Sequence, residues 1–240
     1  EVLGRTLGGY LGVGVLFSYV IAVYLIGTNK LGWWTPSDTL FQPDALASYF
    51  PWLTSISSSL HAGFWEESLF RAVPIAGAAL LGSRFGNKKL WISGGFILQA
   101  LIFAAAHANY PTQPSYARVI ELILPSFFFG LLYLRFGLLP GIILHFTFDV
   151  IFFAIPLFAT SSPQVKWDQF LVIFLTLTPF WIVLLARIRQ GAWRKLDVSQ
   201  FNLGWKPQPA NLENTNQDHS SRGTQSLTPW TTKLVLFFGA

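Results

Sequence analysis

The stretch Ser58–Ser83, SSLHAGFWEESLFRAVPIAGAALLGS, is an apolar run of membrane-crossing length that carries two adjacent glutamates and an arginine near its middle. A hydrocarbon core of ~30 Å requires about 20 residues of helix. A charge at mid-bilayer costs at least ~2.5 to 3.5 kcal/mol on insertion scales, so Glu66, Glu67 and Arg71 are tolerated there only if they face protein or a water cavity. On a helix Glu67 and Arg71 lie four apart and share a face, whereas Glu66 is turned about 100° from Glu67. A self-neutralising ion pair accounts for Glu67 and Arg71 as well as a functional role does. It leaves Glu66 over.

Outward from this run the chain keeps the same character. Hydrophobic residues make up 52% and charged residues 11% of the sequence, and the mean hydropathy is positive, which excludes an ordinary soluble domain. The apolar runs have helical length rather than the ten-residue alternation of a barrel, so the expected fold is all-α, a multi-pass integral membrane helix bundle in the lipid bilayer. Six spans are predicted, at about Thr6–Thr28, Ser58–Ser83, Leu90–Ala108, Val119–Leu134, Leu138–Thr160 and Phe170–Arg187. The piece preceding Ser58, broken by Pro43, Asp44 and Pro51, reads as interfacial or re-entrant. The chain thus divides into residues 1–57 (first span plus this segment), 58–190 (helical core), 191–230 (a polar linker rich in Asn, Gln, Ser and Pro) and 231–240, the expected opening of a further span in a longer protein.

Trp33, Trp34, Trp52, Trp91, Trp167 and Trp193 fall at or just outside the span ends, where an interfacial aromatic belt belongs. With alternating spans, Arg5, Arg84, Lys88, Lys89, Arg135, Arg187, Arg189, Arg194 and Lys195 share one side against Lys30, Arg118 and Lys166 on the other. That asymmetry predicts a cytoplasmic N-terminus. The net charge of +5 is thereby explained by membrane orientation, and no nucleic-acid partner is expected. Without cysteine there is neither a disulfide framework nor a thiolate zinc site.

Three further polar groups interrupt the spans. FAAAH, Phe103–His107, ends the third; HFTFD, His145–Asp149, puts imidazole and carboxylate on one face of the fifth at i, i+4 spacing; and Arg118 with Glu121 reads as a solvated interfacial pair. If the bundle gathers Glu66, His107 and His145, a carboxylate and imidazoles surround a point where water can be deprotonated for attack on a carbonyl.

In this order EESLFR, FAAAH and HFTFD resemble the EExxxR, FxxxH and HxxxN motifs of the CAAX-protease and bacteriocin-processing family of intramembrane endopeptidases, also called the Abi family, which includes the type II CAAX prenyl proteases. The likeness covers roughly Ser58 to Pro156 and implies a membrane-associated peptide or protein substrate, prenylated or bacteriocin-like. It implies that Glu66, helped by His107, activates water, that Glu67 and Arg71 organise their helix, and that His145 and the residue at 149 contribute to the oxyanion site. Asp149 stands where Asn is common in the family. An ionised aspartate cannot donate a hydrogen bond, so it must be protonated, orient His145 or bind a cation. The family is often labelled metal-dependent; Glu66, His107, His145 and Asp149 are the zinc candidates by type, without HExxH spacing.

Two other classes stay open: a non-catalytic immunity or scaffold protein of the same fold, and a proton-coupled transporter relaying through Glu66 and Asp149. One geometric demand is explicit. Along straight helices Glu66 lies roughly 27 Å from Arg84, and His145 only about 15 Å from Arg135. Only a protruding second span, a break near Pro74 or tilt brings them to one depth.

Overall fold

The structure, a computed structural model, describes residues 1–36, 48–110 and 112–193. The polar linker, the last apolar stretch, Arg194, Lys195 and residues 37–47 lie outside the described residues. Nine α-helices are formed among the described ones: α1 (Val2–Lys30), α2 (Pro51–Glu67), α3 (Val73–Phe85), α4 (Lys88–Ala106), α5 (Ser115–Phe136), α6 (Leu138–Phe153), α7 (Ile155–Ala159), α8 (Lys166–Thr176) and α9 (Thr178–Gln190).

Helix α2 starts earlier than the sequence suggests, because Pro51 occupies the first helical turn, where its missing N–H is no loss. Between α2 and α3 the chain stays helical but widens into a π turn, Ser68–Ala72, with the Val73 amide reaching the Ser68 carbonyl. Pro74 explains the site of the widening: an α-helical proline has no N–H for the carbonyl four residues back, Phe70, and its ring crowds that oxygen. One turn of wider helix relieves both, and such turns recur at functional sites. Residues 51–85 therefore form one helical rod of roughly 52 Å, longer than the hydrocarbon core. The excess resolves the depth mismatch, since Arg84 lies beyond the level that Arg135 marks.

Short turns set the neighbours. Gly86 (φ 83°) and Gly137 (φ 81°) take conformations closed to most side chains, so α3–α4 and α5–α6 fold back as tight hairpins. Asn87, in the left-handed region, accepts from the Leu90 amide and caps α4. Close helix approach relies on missing side chains. A Cβ on Gly63 of α2 would lie 2.9 Å from the Phe146 nitrogen of α6, and one on Gly9 of α1 would lie 2.9 Å from Ile143. Gly63→Val is accordingly expected to lower thermal stability in detergent by about 1 to 3 kcal/mol, the usual cost of overpacking. Unfolding at the wild-type temperature would show that α2 and α6 can separate freely.

Carbonyls freed by prolines and helix ends are recovered by side chains, as an apolar solvent demands. Pro125 inside α5 cannot donate to Glu121, and the Tyr19 hydroxyl donates to that carbonyl at 2.7 Å. Tyr10 donates to the Thr176 carbonyl at the α8–α9 break, Ser55 to Phe153 at the end of α6, and Gln169 to Leu157 and Thr160.

By length and composition α1, α4 and α5 can each cross a membrane, and α8 with α9, bent by 59°, adds a fourth span if counted as one. That is fewer than the six expected, although helix occupies all six stretches. The acidic pair and the π turn interrupt the second stretch. The fifth stops at Phe153 before Pro156, leaving 16 residues for α6, about 24 Å. Trp33 also departs from the interfacial reading, being folded back on Gly27 and buried.

Candidate active site

Glu66 and Glu67 arrive from the last turn of α2, Arg71 from the π turn, His107 from the C-terminal end of α4, and His145 and Asp149 from one face of α6. Packing brings all six together. The Glu66 Oε2 atom is 3.5 Å from His107 Nε2 and 3.8 Å from His145 Nε2, is shielded from solvent and accepts no hydrogen bond within the protein. The carboxylate left over on the helix face is therefore the one that meets both histidines.

Each imidazole is oriented from behind. His107 Nδ1 lies 2.7 Å from the Phe103 carbonyl oxygen, which can only accept, so Nδ1 carries the proton and Nε2 is turned to Glu66. This gives the spacing in FAAAH a physical meaning: the first residue supplies the backbone acceptor one turn before the histidine. His145 Nδ1 lies 2.9 Å from Glu67 Oε1, and its Nε2 faces Glu66 and Asp149 Oδ2, the latter at 3.6 Å. Asp149 thus stands beside His145 Nε2 at more than hydrogen-bond length, while the orienting bond to His145 comes from Glu67.

Glu67 in turn meets Arg71, Oε2 to Nε, at 3.4 Å. Both side chains are buried, and the guanidinium carbon sits 4.0 Å above the Phe103 ring and 5.1 Å from the Phe129 ring. A fully desolvated charge pair is stable only with such compensation. The chain of contacts Arg71–Glu67–His145 links the π turn to α6, so Glu67 does more than pair along its own helix. Gly141 completes the fit, since a Cβ there would come within 3.1 Å of Glu67 Oε2.

Glu66, His107, His145 and Asp149 line a cavity of about 910 Å³. One wall is the apolar and aromatic face of α1, including Phe17, Val20 and Tyr24. Arg118 and Glu121, 3.1 Å apart and both partly exposed, border the same cavity. Tyr110, which sequence reasoning passed over, stacks near His107 with ring centroids 5.1 Å apart and lies under the Arg118 guanidinium. Burial, with the Glu66 and Asp149 carboxylates nearby, pushes its phenol above the ordinary value, so it stays a neutral donor. Its place three residues after His107, in the turn that closes α4, was the available signal.

Of the zinc candidates Glu66, His107, His145 and Asp149, no three form a recognised ion-holding group among the described residues, while the bond from His145 Nδ1 to Glu67 is one that a metal-bound histidine also makes.

Compared with known families, residues 48–151 match the model described as type II CAAX prenyl endopeptidase Rce1-like. Neither the curated proteins nor the solved structures give a match. The matched stretch runs from just before α2 to the end of α6 and contains every residue of the cluster.

Proposed function

From the premise that the chain belongs, through residues 48–151, to the family of Rce1-like type II CAAX prenyl endopeptidases, we propose that it is an intramembrane endopeptidase cutting a membrane-associated peptide or protein. The observation that carries this reading is the convergence of Glu66, His107 and His145 from three helices on one cavity with an apolar wall. The cavity is large enough for a peptide segment.

A water oxygen about 2.8 Å from both Glu66 Oε2 and His107 Nε2 would complete a triangle on their contact edge. Glu66 takes one proton from this water as its oxygen adds to the scissile carbonyl carbon, and His107 holds the other O–H in line. The tetrahedral oxyanion then needs a donor. With Nδ1–H given to Glu67, His145 donates from Nε2 only as the imidazolium, whose charge Asp149 balances. Glu66 returns its proton to the amide nitrogen, the C–N bond breaks, and a carboxylic acid and an amine leave. No step runs through a metal. The apolar wall suits a substrate with a hydrophobic or lipidated portion, such as a prenylated C-terminal peptide or a bacteriocin-like precursor.

The test is a comparison of newly formed peptide termini in membranes containing the wild-type protein or Glu66→Gln, which presupposes no substrate. Termini present only with the wild type identify a protease and its cleavage preference. Identical termini from both folded proteins would overturn the reading in favour of a partner-binding role.

A further inference from the structure

We infer that the Tyr110 hydroxyl is a second hydrogen-bond donor to the oxyanion, reaching it from the turn that follows His107. This rests on the peptidase reading above and adds a catalytic residue to it.

The proposed hydrolysis gathers negative charge on the scissile carbonyl oxygen, and His145 Nε2 is the donor so far assigned to it. That atom already faces two carboxylates, Glu66 Oε2 at 3.8 Å and Asp149 Oδ2 at 3.6 Å. They cancel much of an imidazolium's field. A fixed neutral donor stabilises the oxyanion without adding to the charge held in an apolar cavity.

The hydroxyls of the cavity wall narrow the choice. Tyr19 donates to the Glu121 carbonyl, Thr28 to that of Tyr24 and Ser57 to that of Thr54. The Tyr110 hydroxyl has no partner among the described residues. Its ring lines the cavity and packs on His107, with centroids 5.1 Å apart and the Arg118 guanidinium carbon 5.6 Å from its centre. Burial, and then the Glu66 and Asp149 carboxylates, keep the phenol protonated, so it is within electrostatic reach of the cluster and able to donate.

The backbone is held on both sides of this residue. The Tyr110 amide donates to the His107 carbonyl at 3.0 Å, and two bonds between Trp34 and Gln113, at 3.0 and 2.8 Å, tie the chain that follows to the segment after α1. A ring so held keeps its place relative to His107, and a donor fixed in advance is what lowers the barrier. Packing alone would be served as well by phenylalanine.

Tyr110→Phe therefore removes the O–H and leaves the ring on His107. The assay uses the full chain in detergent, a peptide spanning the cleavage site that the comparison of termini identifies, and a phosphinic analogue of that peptide, whose tetrahedral P–O⁻ stands in for the oxyanion. We expect kcat to fall by about 10²- to 10³-fold, the loss typical of one oxyanion donor, with KM and the unfolding temperature close to wild type. The analogue should bind more weakly by a comparable factor. A folded Tyr110→Phe protein with kcat within about threefold of wild type, or one that loses affinity for peptide and analogue equally, overturns the proposal. If the variant is less stable, the ratio of the two affinities still decides, being read on folded molecules alone: a wild-type ratio overturns the proposal. Glu66→Gln, assayed alongside, separates the two levels. Cleavage lost in Glu66→Gln but kept in Tyr110→Phe removes the donor and leaves the protease, whereas no cleavage by the wild type removes the peptidase reading and this proposal with it.

Discussion

Glu66→Gln is expected to reduce peptide-bond hydrolysis by roughly 10³-fold or more, in the upper part of the range for losing a positioned general base, with thermal unfolding in detergent close to wild type. The two halves of this expectation have separate physical grounds. Glutamine keeps the volume of glutamate, and its amide can donate to His107 Nε2, which faces this position at 3.5 Å with its other nitrogen tied to Phe103. The amide cannot accept a proton from water. His107→Ala leaves the carboxylate in place and should cost less, because Glu66 still takes the proton while the water is poorly held. Single-turnover rates on a cleaved substrate, with unfolding curves for each variant, measure both terms. Turnover within tenfold of wild type for folded Glu66→Gln would remove Glu66 from the chemistry.

Much of this site was legible because a bilayer restricts what a sequence can mean. Backbone groups must be satisfied within each helix, so apolar runs translated into helices at all six stretches, and the cost of intramembrane charge singled out Glu66, Glu67, Arg71, His145 and Asp149. What escaped were relations across helices. The i, i+4 rule paired Glu67 with Arg71 correctly but had no means of showing that the second carboxylate oxygen of Glu67 reaches His145, 78 positions on. That Arg118 and Glu121, read as a solvated pair, border the same cavity was not legible, because a predicted boundary does not reveal a cavity running up to it. Of the six expected spans, α1, α4, α5 and the bent α8–α9 pair pass by length and composition; hydropathy windows average over Pro74, Pro156 and Pro179, where the backbone has a π turn, a stop and a 59° bend. The depth conflict between Glu66 and His145 was itself informative, since a helix longer than the membrane was among its few solutions.

Arg71→Met should be the most destabilising single change in the cluster, by about 3 to 5 kcal/mol, the cost of breaking a buried pair and stranding one charge. Arg71 has no exposed surface and Glu67 almost none, so solvent offers no relief, and the guanidinium also gives up its place between Phe103 and Phe129. Adding Glu67→Gln removes the stranded charge, and the double variant should recover much of the lost stability, since a neutral pair of similar volume can replace a buried ion pair at little cost. Activity should not return with it. The glutamine oxygen still accepts from His145 Nδ1, but without the negative charge that favours an imidazolium donating from Nε2. If the pair serves only to hold the helix, stability and rate will recover together in the double variant. Recovery of the unfolding temperature while kcat stays low and KM is unchanged would place Glu67 as the residue that positions and charges His145, with Arg71 as the counterion that makes a buried glutamate tenable there.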